Sequence, residues 1–137
     1  MNLNIFKSVA DLNEALIAYV IKIANTAIAT KDRFNFVLTG GNSPKELYQQ
    51  LSTTYKDKID WSKVYFFFGD ERTVLPDHKD YNGLMAKVNL FNNLATPESN
   101  IFYMDTTLSP AKAALAYKAK LDQHFNGEEI VFDLILL

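Results

Sequence analysis

Apolar residues recur three or four apart between Ser8 and Lys31, and Leu12, Leu16, Tyr19, Ile23 and Ala27 predict the buried face of a helix opened by Ser8 and Asp11. The period changes at Phe34 to Thr39 (FNFVLT), a short aromatic and β-branched run that stops at Gly40-Gly41 and reads as a strand. Pro44 to Leu51 returns to helical spacing, Val64 to Phe68 (VYFFF) reads as a buried strand, and Gly83 to Phe91 is again helical. Asn100 to Met104 (NIFYM) predicts a third strand. Ser109-Pro110 then opens a helix with Ala114, Tyr117, Leu121 and Phe125 on one face and Gly127 as its C-terminal cap. Val131 to Leu137 (VFDLILL) completes the series as a fourth strand.

Four alternations of strand and helix, with strands as continuously apolar as VYFFF and LILL, predict an α/β fold: a Rossmann-like, mainly parallel sheet with helices on both faces. No repeat or linker divides residues 1–137, so one domain is expected. Ligands of such a sheet bind beyond the carboxyl ends of its strands, where the strand order reverses.

Composition narrows the chemistry. Fourteen Lys+Arg against sixteen Asp+Glu give a net charge of −2, which offers no general field for nucleic acid or an anionic membrane. The absence of cysteine excludes disulfides, thiolate metal sites and a cysteine nucleophile. The most apolar stretch, Ala15 to Ala29, is interrupted by Lys22, Asn25 and Thr26, short of the roughly 18 unbroken apolar residues of a membrane span. The first residues show no secretory pattern, and a cytoplasmic protein is expected.

Three segments could carry chemistry. Thr39-Gly40-Gly41-Asn42-Ser43-Pro44-Lys45-Glu46 joins the first strand to a helix, and free N–H groups at that helix start suit a phosphate or carboxylate. The same residues also spell a capping box, Ser43 with Glu46 three residues on. Neither GxGxxG nor GxxxxGK[ST] is present. Gly69-Asp70-Glu71-Arg72 follows VYFFF, so Arg72 could offer its planar fork to a phosphate while Asp70 orients a base or a substrate hydroxyl; an ordinary ion-pair cluster is the alternative. In Pro76-Asp77-His78-Lys79-Asp80-Tyr81-Asn82, His78 could titrate and pair with Asp77, or simply be solvated. His124, late in a helix, is explained by the helix dipole, and neither histidine suggests a metal site.

In order and spacing, TGGNSPKELYQQL, WSKVYFFFGDERTVLPDHKDYN and the closing FDLILL resemble successive motifs of the 6-phosphogluconolactonases over essentially the whole chain. The family's SGGSTP is here TGGNSP, so Thr39, Asn42 and Ser43 depart from it, and Tyr81 stands for the Ser of DHxxSN. In that family the strand resembling FDLILL runs into GxGxDGH, whose His is the general base. This chain ends at Leu137, so the resemblance implies an amino-terminal portion, cut after the fourth core strand and inactive alone.

The resemblance implies hydrolysis of 6-phospho-D-glucono-1,5-lactone without metal or organic cofactor. It assigns substrate binding to Gly40, Gly41, Asn42, Ser43 and Arg72, and an orienting role to Asp70. The implied partner is a small phosphosugar lactone. Two alternatives stay open: a related glucosamine-6-phosphate deaminase, against which Arg72 stands where those enzymes carry an aromatic residue, and a non-catalytic sugar-phosphate sensor.

Overall fold

Phe34–Leu38 (β1) and Val64–Phe68 (β2) pair in parallel, from Phe34 opposite Val64 to Leu38 opposite Phe68, in the computed structural model, which describes residues 3–137. Side chains on a strand point alternately to its two faces, and here both faces are covered. Phe34, Phe36 and Leu38 with Val64, Phe66 and Phe68 meet one set of helices: α1 (Val9–Lys31), α2 (Lys45–Ser52) and α3 (Asn82–Asn89), which contribute Ile17, Val20, Ala24, Leu47, Leu51 and Ala86. Val37 and Phe67 point the other way and pack with Phe125, next to the end of α4 (Pro110–His124). The α/β architecture and parallel pairing therefore follow the sequence reading.

β3 (Leu134–Ile135) pairs in parallel with the other edge of β1, giving the order β2-β1-β3. The chain moves from β1 to β2 on one side and later returns to β3 on the other, so the strand order reverses around β1. Its carboxyl end, where Gly40 begins, is the expected ligand crevice. Buried Asn35 anchors the return: its N–H donates to Asp133 Oδ2 at 2.7 Å, and Lys31 Nζ lies 2.6 Å from Asp133 Oδ1.

Several expectations are corrected. The buried residues of α1 are Asn13, Ile17, Val20, Ala24 and Ala27; Leu12 is 43% exposed and Tyr19 52%. The helix is apolar on nearly every side between Ala15 and Ala29, so spacing alone fits more than one stripe. α1 is in fact long and apolar enough to cross a membrane by length and composition, yet its buried stripe lies against the sheet.

Among the described residues the sheet has three strands, not four. Asn100 to Met104 makes a single bridge, Ile101 with Phe66, because side chains take much of the outer edge of β2. Asn100 Nδ2 donates to Val64 O at 3.2 Å, and the Tyr117 hydroxyl meets both backbone groups of Phe68. The final strand is also short, although Asp133 N and Leu136 N still donate to Asn35 O and Val37 O. Along α4, Ala114 is exposed and Tyr117 and Leu121 are half-buried, so only Phe125 of the predicted face is fully covered. Gly127 does terminate it at φ +73°, its N–H donating to Asp122 O.

Candidate functional site

The loop after β1 needs both glycines. Gly41 has φ +83°, a left-handed conformation that side chains resist. A Cβ on Gly40 would lie 2.1–2.4 Å from the carboxamide of Asn82, so the third loop packs directly on the first. Buried Asn82 also reaches the second loop, its Nδ2 donating to Asp70 O at 3.2 Å and approaching Asp70 Oδ1 at 3.4 Å.

The capping box does not form. Pro44, not Ser43, occupies the N-cap position of α2, no side chain caps that end, and Glu46 accepts instead from Gln50 Nε2. The start of α2 is thus left without a side-chain acceptor, the condition for holding an anion.

α3 is treated in the opposite way. Its N-cap residue Tyr81 offers no capping side chain, and Glu71 reaches across to do so. Glu71 Oε1 accepts from Asn82 N at 2.7 Å and from Arg72 N at 2.7 Å, while Oε2 accepts from Gly83 N at 2.9 Å. Burial pushes the Glu71 carboxyl above its usual value and Asp70 adds to that, against the three N–H donors, which favour the carboxylate.

These contacts surround a cavity of 180 Å³ whose walls include Gly41, Asn42, Lys45, Arg72, Lys79, Asp80 and Asn82. Three cations face one carboxylate there, a field suited to a small anion. Asp70 does not line the cavity; its Oδ2 lies 4.0 Å from Arg72 Nε, both side chains more than half exposed. That loose pair leaves the guanidinium available. Arg72 also borders a more apolar groove of 350 Å³ between Thr106, Leu108 and α4.

Of the residues named from sequence, Gly41, Asn42 and Arg72 line the cavity, Gly40 packs behind it on Asn82, and Ser43 lies exposed outside its wall. His78 pairs with Asp80 rather than Asp77: Asp80 N donates to His78 Nδ1 at 3.2 Å, and the ring is solvated. His124 is not a helix-end cation. It sits among Tyr65, Phe67, Phe102 and Phe125 with Nε2 3.0 Å from Asn35 Oδ1, and burial, then Arg33, hold its pKa below the usual value.

Sequence reasoning missed Lys45 and Lys79 as cavity cations and Glu71 as a cap. The signal for Glu71 was indirect: a helix beginning after Tyr81, with no Ser, Thr, Asp or Asn to cap it, needs an acceptor from elsewhere.

A protein-family model described as glucosamine-6-phosphate isomerases/6-phosphogluconolactonase matches residues 7–137. The 6-phosphogluconolactonase of Nostoc sp. is 38% identical over 117 residues, covering 82% of this chain and 48% of its own. That of Synechocystis sp. is 36% identical over 130 residues, covering 92% and 52%. The chain thus spans about half the length of these curated relatives. Among solved structures, 6-phosphogluconolactonase from Trypanosoma cruzi superposes with a TM-score of 0.81 at 26% identity, covering 97% of this chain and 56% of its own. The Thermotoga maritima enzyme gives 0.76 at 27%, covering 82% and 50%.

Proposed function

The chain belongs to the glucosamine-6-phosphate isomerase/6-phosphogluconolactonase family, and on that premise we propose that it is the phosphosugar-holding part of a 6-phosphogluconolactonase. The observation that carries this reading is the cavity in which Arg72, Lys45 and Lys79 converge on the Gly41-Asn42 turn. A phosphate dianion there, held by Arg72 and the uncapped start of α2, supplies binding energy remote from the reacting carbon and fixes the lactone for attack. The substrate-binding set is Gly40, Gly41, Asn42, Ser43 and Arg72, with Asp70 orienting a base or a substrate hydroxyl.

Hydrolysis adds water across the bond between the lactone carbonyl carbon and the ring oxygen. A general base takes a proton from the attacking water and its conjugate acid returns it to the ring oxygen, which departs as the C5 hydroxyl. Neither His78 nor His124 lines the cavity, in keeping with the family resemblance, which puts the general base in a GxGxDGH segment rather than at either of these histidines. Residues 1–137 are read as one sugar-phosphate-binding domain acting in the cytoplasm, with α1 serving the core rather than a membrane.

The test is titration of the chain with 6-phosphogluconate and with gluconate. Binding that is much tighter for the phosphorylated ligand and is strongly weakened, though still measurable, in Arg72→Ala supports the reading. Equal binding of the two ligands, or ammonia release from glucosamine 6-phosphate, overturns it. Lactone hydrolysis by the chain above the spontaneous rate would place the base within it.

A further inference from the structure

We propose that Glu71 is a positioning residue for the phosphate site, acting through the backbone of Arg72; this rests on the assignment of Arg72 to phosphate binding. The juxtaposition is specific: one carboxylate accepts from the N–H of Arg72 and from the first two N–H groups of α3, at 2.7, 2.7 and 2.9 Å. The loop after β2 is thereby pinned to the segment that begins α3, and Asn82 in that segment packs on Gly40. The carboxylate thus ties the second and third loops directly, and the first is reached only through the packing of Gly40 on Asn82.

Two features make the tie more than a helix cap. Glu71 neutralises the positive end of α3, so the dipole available to an anion at this site is that of α2, whose start has no side-chain cap. Its second effect is on direction. The Arg72 side chain is more than half exposed, with only a 4.0 Å contact to Asp70. Its placement therefore depends on its backbone, which Glu71 holds at the N–H while Val74 N donates to its carbonyl at 2.8 Å. A planar guanidinium recognises phosphate through paired N–H groups, so a rotation at its Cα degrades the fit without removing the charge.

Glu71→Gln keeps the shape but replaces one acceptor oxygen with an NH2 group that faces a backbone donor. The expected result is about a tenfold loss of 6-phosphogluconate affinity, with gluconate binding unchanged. In an Arg72→Ala background the same change should alter affinity by less than about twofold, because the two residues act as a unit. Undiminished affinity in Glu71→Gln, or an equal loss in both backgrounds, overturns the proposal. Failure of the unmodified chain to bind 6-phosphogluconate would instead overturn the functional reading. Should the Gln variant not fold, the unmodified chain is titrated by NMR between pH 4 and 7. The amides of Arg72, Asn82 and Gly83 should shift together, at a midpoint above that of an ordinary Glu and shared with the loss of affinity. Asp70, Arg72 and Tyr81, the charged or titratable groups facing Glu71, are followed alongside. Separate midpoints for the three amides would refute the clamp.

Discussion

The Tyr117 hydroxyl stands where a neighbouring strand would pair with Phe68: it accepts from Phe68 N at 2.9 Å and donates to Phe68 O at 3.3 Å. Tyr48 does the same at the end of β1, accepting from Thr39 N at 3.1 Å and donating to Thr39 O at 2.9 Å. Each tyrosine closes a strand directly before the loop that carries site residues. Burial raises both phenols, Tyr117 to about 12, so each stays a neutral donor and acceptor at physiological pH.

Tyr117→Phe should therefore destabilise the chain by about 1–3 kcal/mol, the cost of leaving a buried N–H without its partner. Urea denaturation measures it. Since no residue of α4 is fully buried, the same variant should loosen the helix, seen as faster amide exchange at Lys118 to Asp122. An unchanged denaturation midpoint would show that water replaces the hydroxyl.

Gly40→Ala should be poorly tolerated although Gly40 is not left-handed. Its Cβ would collide with Asn82 at 2.1 Å, and Asn82 is held by Asp70. We expect a loss of about 1–3 kcal/mol, as for overpacked cores, together with weaker 6-phosphogluconate binding. Adding Asn82→Ala should recover stability by removing the clash but not binding, since the tie to Asp70 is lost. Additive losses in the double variant would mean the two residues do not meet.

Lys45 and Lys79 should contribute through charge alone. Alanine at either position is expected to weaken 6-phosphogluconate binding by about two- to fivefold at low salt, the range of exposed ion pairs, and by less as ionic strength rises. Arg72→Lys should cost more than either, because the paired donors are lost while the charge stays. Isothermal titration at two salt concentrations separates these cases. A Lys79→Ala variant indifferent to salt would remove that residue from the site.

The strand-helix alternation was legible because β1 and β2 carry apolar residues on both faces, a pattern only a covered sheet tolerates. Asn100 to Met104 was misread because its composition is strand-like, whereas the edge it would pair with is occupied by Asn100 and Tyr117 side chains, a tertiary fact no local pattern records. At the site, Gly41 and Arg72 were visible as residue types with distinctive chemistry. Glu71 and Asn82 were not, since an acid and an amide acquire their roles only when loops distant in sequence meet. The capping box at Ser43 had the right letters but the wrong register, Pro44 having taken the cap position.

His124 supplies a pH test whose sign is fixed by its surroundings. Burial first and Arg33 second disfavour the imidazolium, and the Nε2 contact to Asn35 Oδ1 suits the neutral tautomer with its proton on Nε2. The folded-state pKa is therefore below the unfolded value of about 6.5. As pH falls the unfolded chain takes up this proton first, so the stability His124 provides is complete above about pH 6.5 and is lost as pH falls through the lower folded pKa. Replacing it by Phe fills the aromatic site but removes the titration, at the cost of an unpartnered Asn35 oxygen. The expected outcome is a chain less stable than the parent at pH 7.5, with the gap narrowing toward pH 5 as the parent alone pays for protonation. Urea midpoints of both proteins across that range decide the matter, and parallel curves would show that His124 is as easily protonated folded as unfolded.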